Sequence, residues 1–81
     1  MWVGYLNELI AKNVGAVVCI KMNSFMRWCI SRGYDVDTCK SQYYAMLKAL
    51  ERYKVQSLRK LCYMKSDLAR VIQAQTTPAL M

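Results

Sequence analysis

Four cations, Lys48, Arg52, Arg59 and Arg70, fall in a band about 40° wide when residues 38–75 are wound as a helix at roughly 100° per residue. A row of ammonium and guanidinium groups does one kind of chemistry without a catalyst. It displaces counterions from a polyanion such as a nucleic-acid backbone, with an attraction that weakens as salt rises. Tyr44, Val55, Tyr63 and Ser66 are interleaved with the row. Tyr and Ser hydroxyls can add hydrogen bonds to backbone oxygens or to the 2′-hydroxyl of RNA. The same face has Asp67 near its edge and Glu51 at its apolar border, a poorer mixture of signs than a merely solvated face carries.

A second set of contacts is available at the start of that stretch. Lys40 and Gln42 follow a helix and a short turn, the layout of a helix-turn-helix, in which the first residues of the second helix meet base edges. Both are residue types that read bases in the major groove. The spacing Cys39-Lys40-x-x-Tyr43-x-x-Met46-Leu47 faintly echoes the last helix of Myb-like DNA-binding domains. Phe25, Trp28, Thr38 and Tyr43 faintly echo the core-binding domain of tyrosine recombinases. Both echoes stop at those residues, the acidic first helix of Myb repeats is missing, and no family is assigned.

Catalysis has no comparable basis. The chain has no His, so no side chain titrates near neutral pH without perturbation. Glu8, Asp35, Asp37, Glu51 and Asp67 form no evident acid–base couple, and a Cys nucleophile would lack an activating base. Four scattered cysteines without His or a C-x-x-C pair make a poor zinc set, and three isolated glycines make no phosphate loop. The expectation is therefore a non-enzyme with no metal, no cofactor and no small-molecule substrate.

Twelve Lys and Arg against five Asp and Glu give 81 residues a net charge of +7, a field that attracts nucleic acid or anionic membrane. The most apolar stretch, residues 14–30, contains Lys21, Asn23, Ser24 and Arg27 and is too short and polar to span a bilayer. The opening Met1-Trp2-Val3-Gly4 lacks a basic leader, and Glu8 interrupts the apolar run, unlike an export signal. An intracellular protein is expected, with Cys19, Cys29, Cys39 and Cys62 reduced and packing as small hydrophobes. The ten-residue spacing of the first three would place successive cysteines on different faces of a helix.

The elements that position the cations are expected to form an all-α domain, a small bundle of three to four helices over residues 1–75 with a flexible tail at 76–81. The first helix spans residues 2–12, with Val3, Leu6, Leu9 and Ile10 at helical spacing and Asn13 and Gly15 ending it. The second spans residues 16–32 and closes at Gly33. The β-branched Val17, Val18 and Ile20 offer a short strand over residues 16–22 as its competitor, with Asn23-Ser24 capping a helix from Phe25. Asp37 is the expected N-cap of the third.

That third helix, long and amphipathic, gathers Tyr43, Leu47, Leu50, Leu58, Leu61, Leu68 and Ile72 within roughly 80°. Lys54 and Lys65 intrude on this apolar stripe. They mark either a break near Gln56-Ser57, with Ser57 capping a fourth helix, or lysines that snorkel from an interface edge. An unbroken helix of this length would be about 57 Å long and would nearly force a second copy. The 56% hydrophobic content also exceeds what a small monomer hides, so a homodimer is expected.

These features together predict a basic, non-catalytic binder of nucleic-acid backbone. Duplex RNA is slightly favoured over DNA, because a long straight face suits recognition of duplex shape. The alternative is a small inhibitor or adaptor that binds a partner protein. Peripheral binding to anionic membrane ranks third, for want of a Trp/Phe-rich apolar face. The Cys-, Met- and Trp-rich, Glu-poor composition suits an accessory protein of a virus or mobile element.

Overall fold

The structure, a computed structural model, describes residues 1–56 and 59–76. The expected all-α bundle is not what forms. In chain order the elements are helix α1 (Trp2–Lys12), strand β1 (Val17–Ile20), helices α2 (Met22–Ser31) and α3 (Val36–Leu50), a 3₁₀ turn (Glu51–Tyr53), strand β2 (Leu61–Met64) and helix α4 (Lys65–Thr76). The fold is thus mixed: helices packed on a small antiparallel sheet. The long C-terminal helix is replaced by α3, a turn, a strand and α4. Leu58, the Ser57 cap and the tail at 77–81 lie outside the described residues.

The strand competitor at 16–22 prevails because a partner exists for it. Val17, Val18 and Ile20 lose little by going extended. Leu61–Met64 pairs with them in the register Val17↔Met64, Val18↔Tyr63, Cys19↔Cys62 and Ile20↔Leu61. Val18 and Ile20 point into the core, while Val17 and Cys19 face out. Residues 61–64 also have helical spacing with the apolar stripe, so their period-2 role is invisible until the partner strand is known.

The two intrusive lysines mark where the helix stops. Lys54 bridges Tyr63 and its backbone is already extended (φ −60°, ψ 133°). The Lys65 ammonium donates to the carbonyl of Asn13 at the end of α1. Asn13 meanwhile closes α1 with both its backbone N–H and its side-chain amide donating to the Leu9 carbonyl. With the chain folded back, α4 packs on α1, and α2 packs on α3. No helix has to run unsupported, so the argument that length alone requires a second copy no longer applies.

Smaller corrections follow the same logic. The N-cap of α3 is Asp35, in extended backbone, and Asp37 sits in the first turn. Gly33 ends α2 as expected, with φ +94°, a value that disfavours side chains. The core joins Leu6, Phe25, Met46, Leu50, Leu68 and Tyr63, all 1% exposed or less.

The cysteines are the largest correction to the sequence reading. They form two disulfides, Cys19–Cys62 across the sheet and Cys29–Cys39 between α2 and α3. The angular argument against pairing assumed a shared helix. Instead Cys19 lies on a strand, and Cys29 and Cys39 lie on neighbouring helices that face each other.

Candidate nucleic-acid interface

The end of the continuous helix at Leu50 divides the basic stripe. Lys48, Arg52 and Arg70 stay together. They line a cleft of about 350 Å³ where the end of α3 and the 3₁₀ turn meet α4, with Tyr53, Val71 and Gln75 as further walls. Glu51 is the acid on this wall, and Asp67 lies 3.9 Å from Arg70 one turn earlier on α4. The Arg70 side chain is 76% exposed, so that pair is loose and contributes little. Arg59 is parted from the other three. It lines a second cleft, beside Lys21 and Lys60 at the start of α2.

Lys40 and Gln42, expected to act together, do not share a face. Two residues on a helix are about 200° apart. Lys40 is exposed and Gln42 is half-buried. Lys40 falls in line with the stripe instead: Lys40, Tyr44 and Lys48 recur at i, i+4 and i+8 along the outer side of α3, and all three are exposed. Tyr44 is 59% exposed, its ring packed edge-on against Tyr43 at 5.6 Å. This buttress presents a rigid aromatic face between two lysines. The row is about 12 Å long and runs into the cleft at Lys48.

Tyr63 is not on this surface. It is 1% exposed, on β2 opposite Val18, and burial pushes its hydroxyl pKa up. Ser66 is exposed on α4, and Val55 is half-buried, its N–H bonded to the Cys62 carbonyl.

Other cations are engaged elsewhere. Arg32 pairs with Glu8 and stacks over the Trp28 ring, 4.5 Å from its centroid, while the Trp28 indole N–H donates to Glu8 at 2.6 Å. This cluster ties α1 to α2. The indole hydrogen bond, with the Arg32 guanidinium beside it, holds the Glu8 carboxyl below the usual carboxylate range. Asp35 is held low chiefly by the Thr38 side chain. Two acids are thus used in structural roles, and neither offsets the α3 row.

Among the described residues no group of three or more His, Cys, Asp or Glu could hold a metal ion, and no helix is long and apolar enough to cross a membrane. Sequence reasoning missed the joining of Lys21 and Lys60 to Arg59. The available signal was the β-branched run ending at Ile20, which puts Lys21 at a strand–helix junction. No family model, curated protein or solved structure matches the chain. The functional reading therefore stands on the residues alone.

Proposed function

We propose that this chain is a non-catalytic binder of nucleic acid that grips the phosphate backbone with Lys40, Lys48, Arg52 and Arg70. The observation that carries this reading is the exposed row on α3 continuing into the α3–α4 cleft, in a chain of net charge +7. Duplex DNA carries one phosphate per about 3.4 Å of axis on each strand, so a 12 Å row reaches about three or four phosphates. Tyr44 offers a ring on which an unpaired base can stack. The long face that favoured duplex RNA does not form, so the proposal covers either duplex and rests on the backbone. We place the working protein in an oxidising compartment. The intracellular expectation rested on the lack of an export-like opening, with reduced thiols as its consequence. The two disulfides favour the opposite placement, because disulfides persist where the surroundings are oxidising.

Four phosphate contacts predict a salt slope of about −3.6, a loss of roughly 100-fold in affinity between 50 and 200 mM salt. Changing Lys40, Lys48, Arg52 and Arg70 together to Ala should flatten that slope while leaving the fold intact, because all four are exposed. Single changes should weaken binding alike for unrelated sequences. Fluorescence anisotropy with duplex DNA, duplex RNA and single strands at several salt concentrations measures both. A folded quadruple variant that binds as tightly as the parent ends the proposal. Binding confined to anionic vesicles would give the surface to membrane instead. If neither nucleic acid nor vesicles bind, Val17 and Met64, paired across the sheet and both exposed, become the surface to examine for a protein partner.

A further inference from the structure

The start of α2 opens into the second cleft, about 480 Å³ in volume. Among the described residues its charged lining is Lys21, Arg59 and Lys60, with no carboxylate. Three cations converging give a local positive charge that no acid among the described lining residues neutralises. Backbone donors add to it. The first helical bond of α2 runs from the Phe25 N–H to the Lys21 carbonyl. The amides of Met22, Asn23 and Ser24 therefore precede the ladder and have no intrahelical acceptor. Among the described residues the N-cap Lys21 makes no side-chain capping bond, and no acid lies in the first turn of α2.

A separate observation comes from the side of the cleft formed by α3. Tyr43 is 5% exposed and lines the cleft. Burial pushes its pKa above the ordinary tyrosine value, so at neutral pH it remains a donor. Ile20, Met22 and Leu61 supply an apolar wall, and the Cys19–Cys62 disulfide pins together the strand that Lys21 follows and the strand that Lys60 precedes. The volume falls within the ~300–1,000 Å³ of small-molecule sites and exceeds what a bare phosphate fills.

We propose that this cleft binds a nucleotide 5′-phosphate, with the oxyanion on Lys21, Arg59, Lys60 and the α2 amides, and the sugar and base against Ile20, Met22 and Leu61. Cations and helix N-termini are the two devices by which proteins hold phosphate, and both meet here. The ligand is a free nucleotide or the phosphorylated end of a strand. The site does not depend on the α3 row, which uses other residues.

Isothermal calorimetry of the oxidised protein tests it with inorganic phosphate, AMP, and oligonucleotides bearing a 5′-phosphate or a 5′-hydroxyl. AMP should bind saturably and more tightly than phosphate. Lys21→Ala and Arg59→Ala should each weaken it about tenfold, the loss of one charge-assisted hydrogen bond. Tyr43→Phe keeps the ring in the core and should weaken AMP several-fold. The Lys40→Ala/Lys48→Ala variant should bind AMP like the parent, so failure of the backbone interface leaves this site standing. A preference for the 5′-phosphorylated oligonucleotide assigns the strand end as ligand, and AMP binding without that preference assigns the free nucleotide. Absence of saturable AMP binding at low salt, or binding unchanged in Lys21→Ala and Arg59→Ala, overturns the proposal.

Discussion

Breaking the Cys19–Cys62 bond should lower the melting temperature by on the order of 20 °C, and reducing both disulfides should unfold much of the population at 37 °C. The bond joins residues 43 apart in sequence. On the chain-entropy account, closing a loop of that length removes about 4 kcal/mol of disorder from the unfolded state, and the ten-residue Cys29–Cys39 loop removes about 3 kcal/mol. A domain of this size holds only about 5–15 kcal/mol in all. Thermal melts of the Cys19→Ser/Cys62→Ser variant, and of the parent with and without a phosphine reductant, measure the effect. Free thiols counted by alkylation, together with an unchanged melt, would show that the cross-links are not what holds the fold.

Phe25→Ala should cost about 3–5 kcal/mol, the second largest loss. Phe25 is fully buried, with ring centroids of Tyr5 at 5.0 Å, Tyr43 at 5.7 Å and Trp28 at 5.9 Å. These rings come from α1, α3 and α2, so a cavity here removes contact from three helices at once. Met64→Ala is the control: Met64 is 39% exposed on β2, and its change should stay within about 0.5–1 kcal/mol. Chemical denaturation of the two variants, if it gives equal midpoints, would sink this account of the core.

The sequence predicted the helices that have local punctuation. The bounds of α1 follow from an apolar spacing that stops at Asn13, and Gly33 closes α2 through its positive φ. Residues 38–75 misled because their apolar positions satisfy two periods. Tyr43, Leu50 and Leu68 lie on one helical stripe and are buried as expected. Leu61 fits the same stripe, yet it faces Ile20 across a ladder whose other half lies forty residues away. A pairing at that distance leaves no mark within a local window, and no Gly or Pro lies between Gly33 and Pro78 to flag the turns. The disulfides were hidden for the same reason. The cations fared better, since three of the four stripe residues meet in one cleft despite the broken helix. Their solvent-facing phase on α3 was legible, and α4 happens to return beside it. The cleft at Lys21 was not legible, because it needs the strand–helix junction and the returning chain together.

The sheet closes around everything between its strands, so α2 and α3 form an insert within a loop whose ends meet last. Contacts within that insert are short-range and cheap to form, whereas pairing residues 17–20 with 61–64 carries the loop-closure cost. Four cysteines admit three pairings. Early docking of α2 on α3 brings Cys29 to Cys39 and leaves Cys19 a single partner. Oxidative folding then has an order, and the long-range bond acts as a latch on a topology already chosen. Thiol trapping during refolding would show the Cys29–Cys39 species first; an early Cys19–Cys62 intermediate would reverse that order.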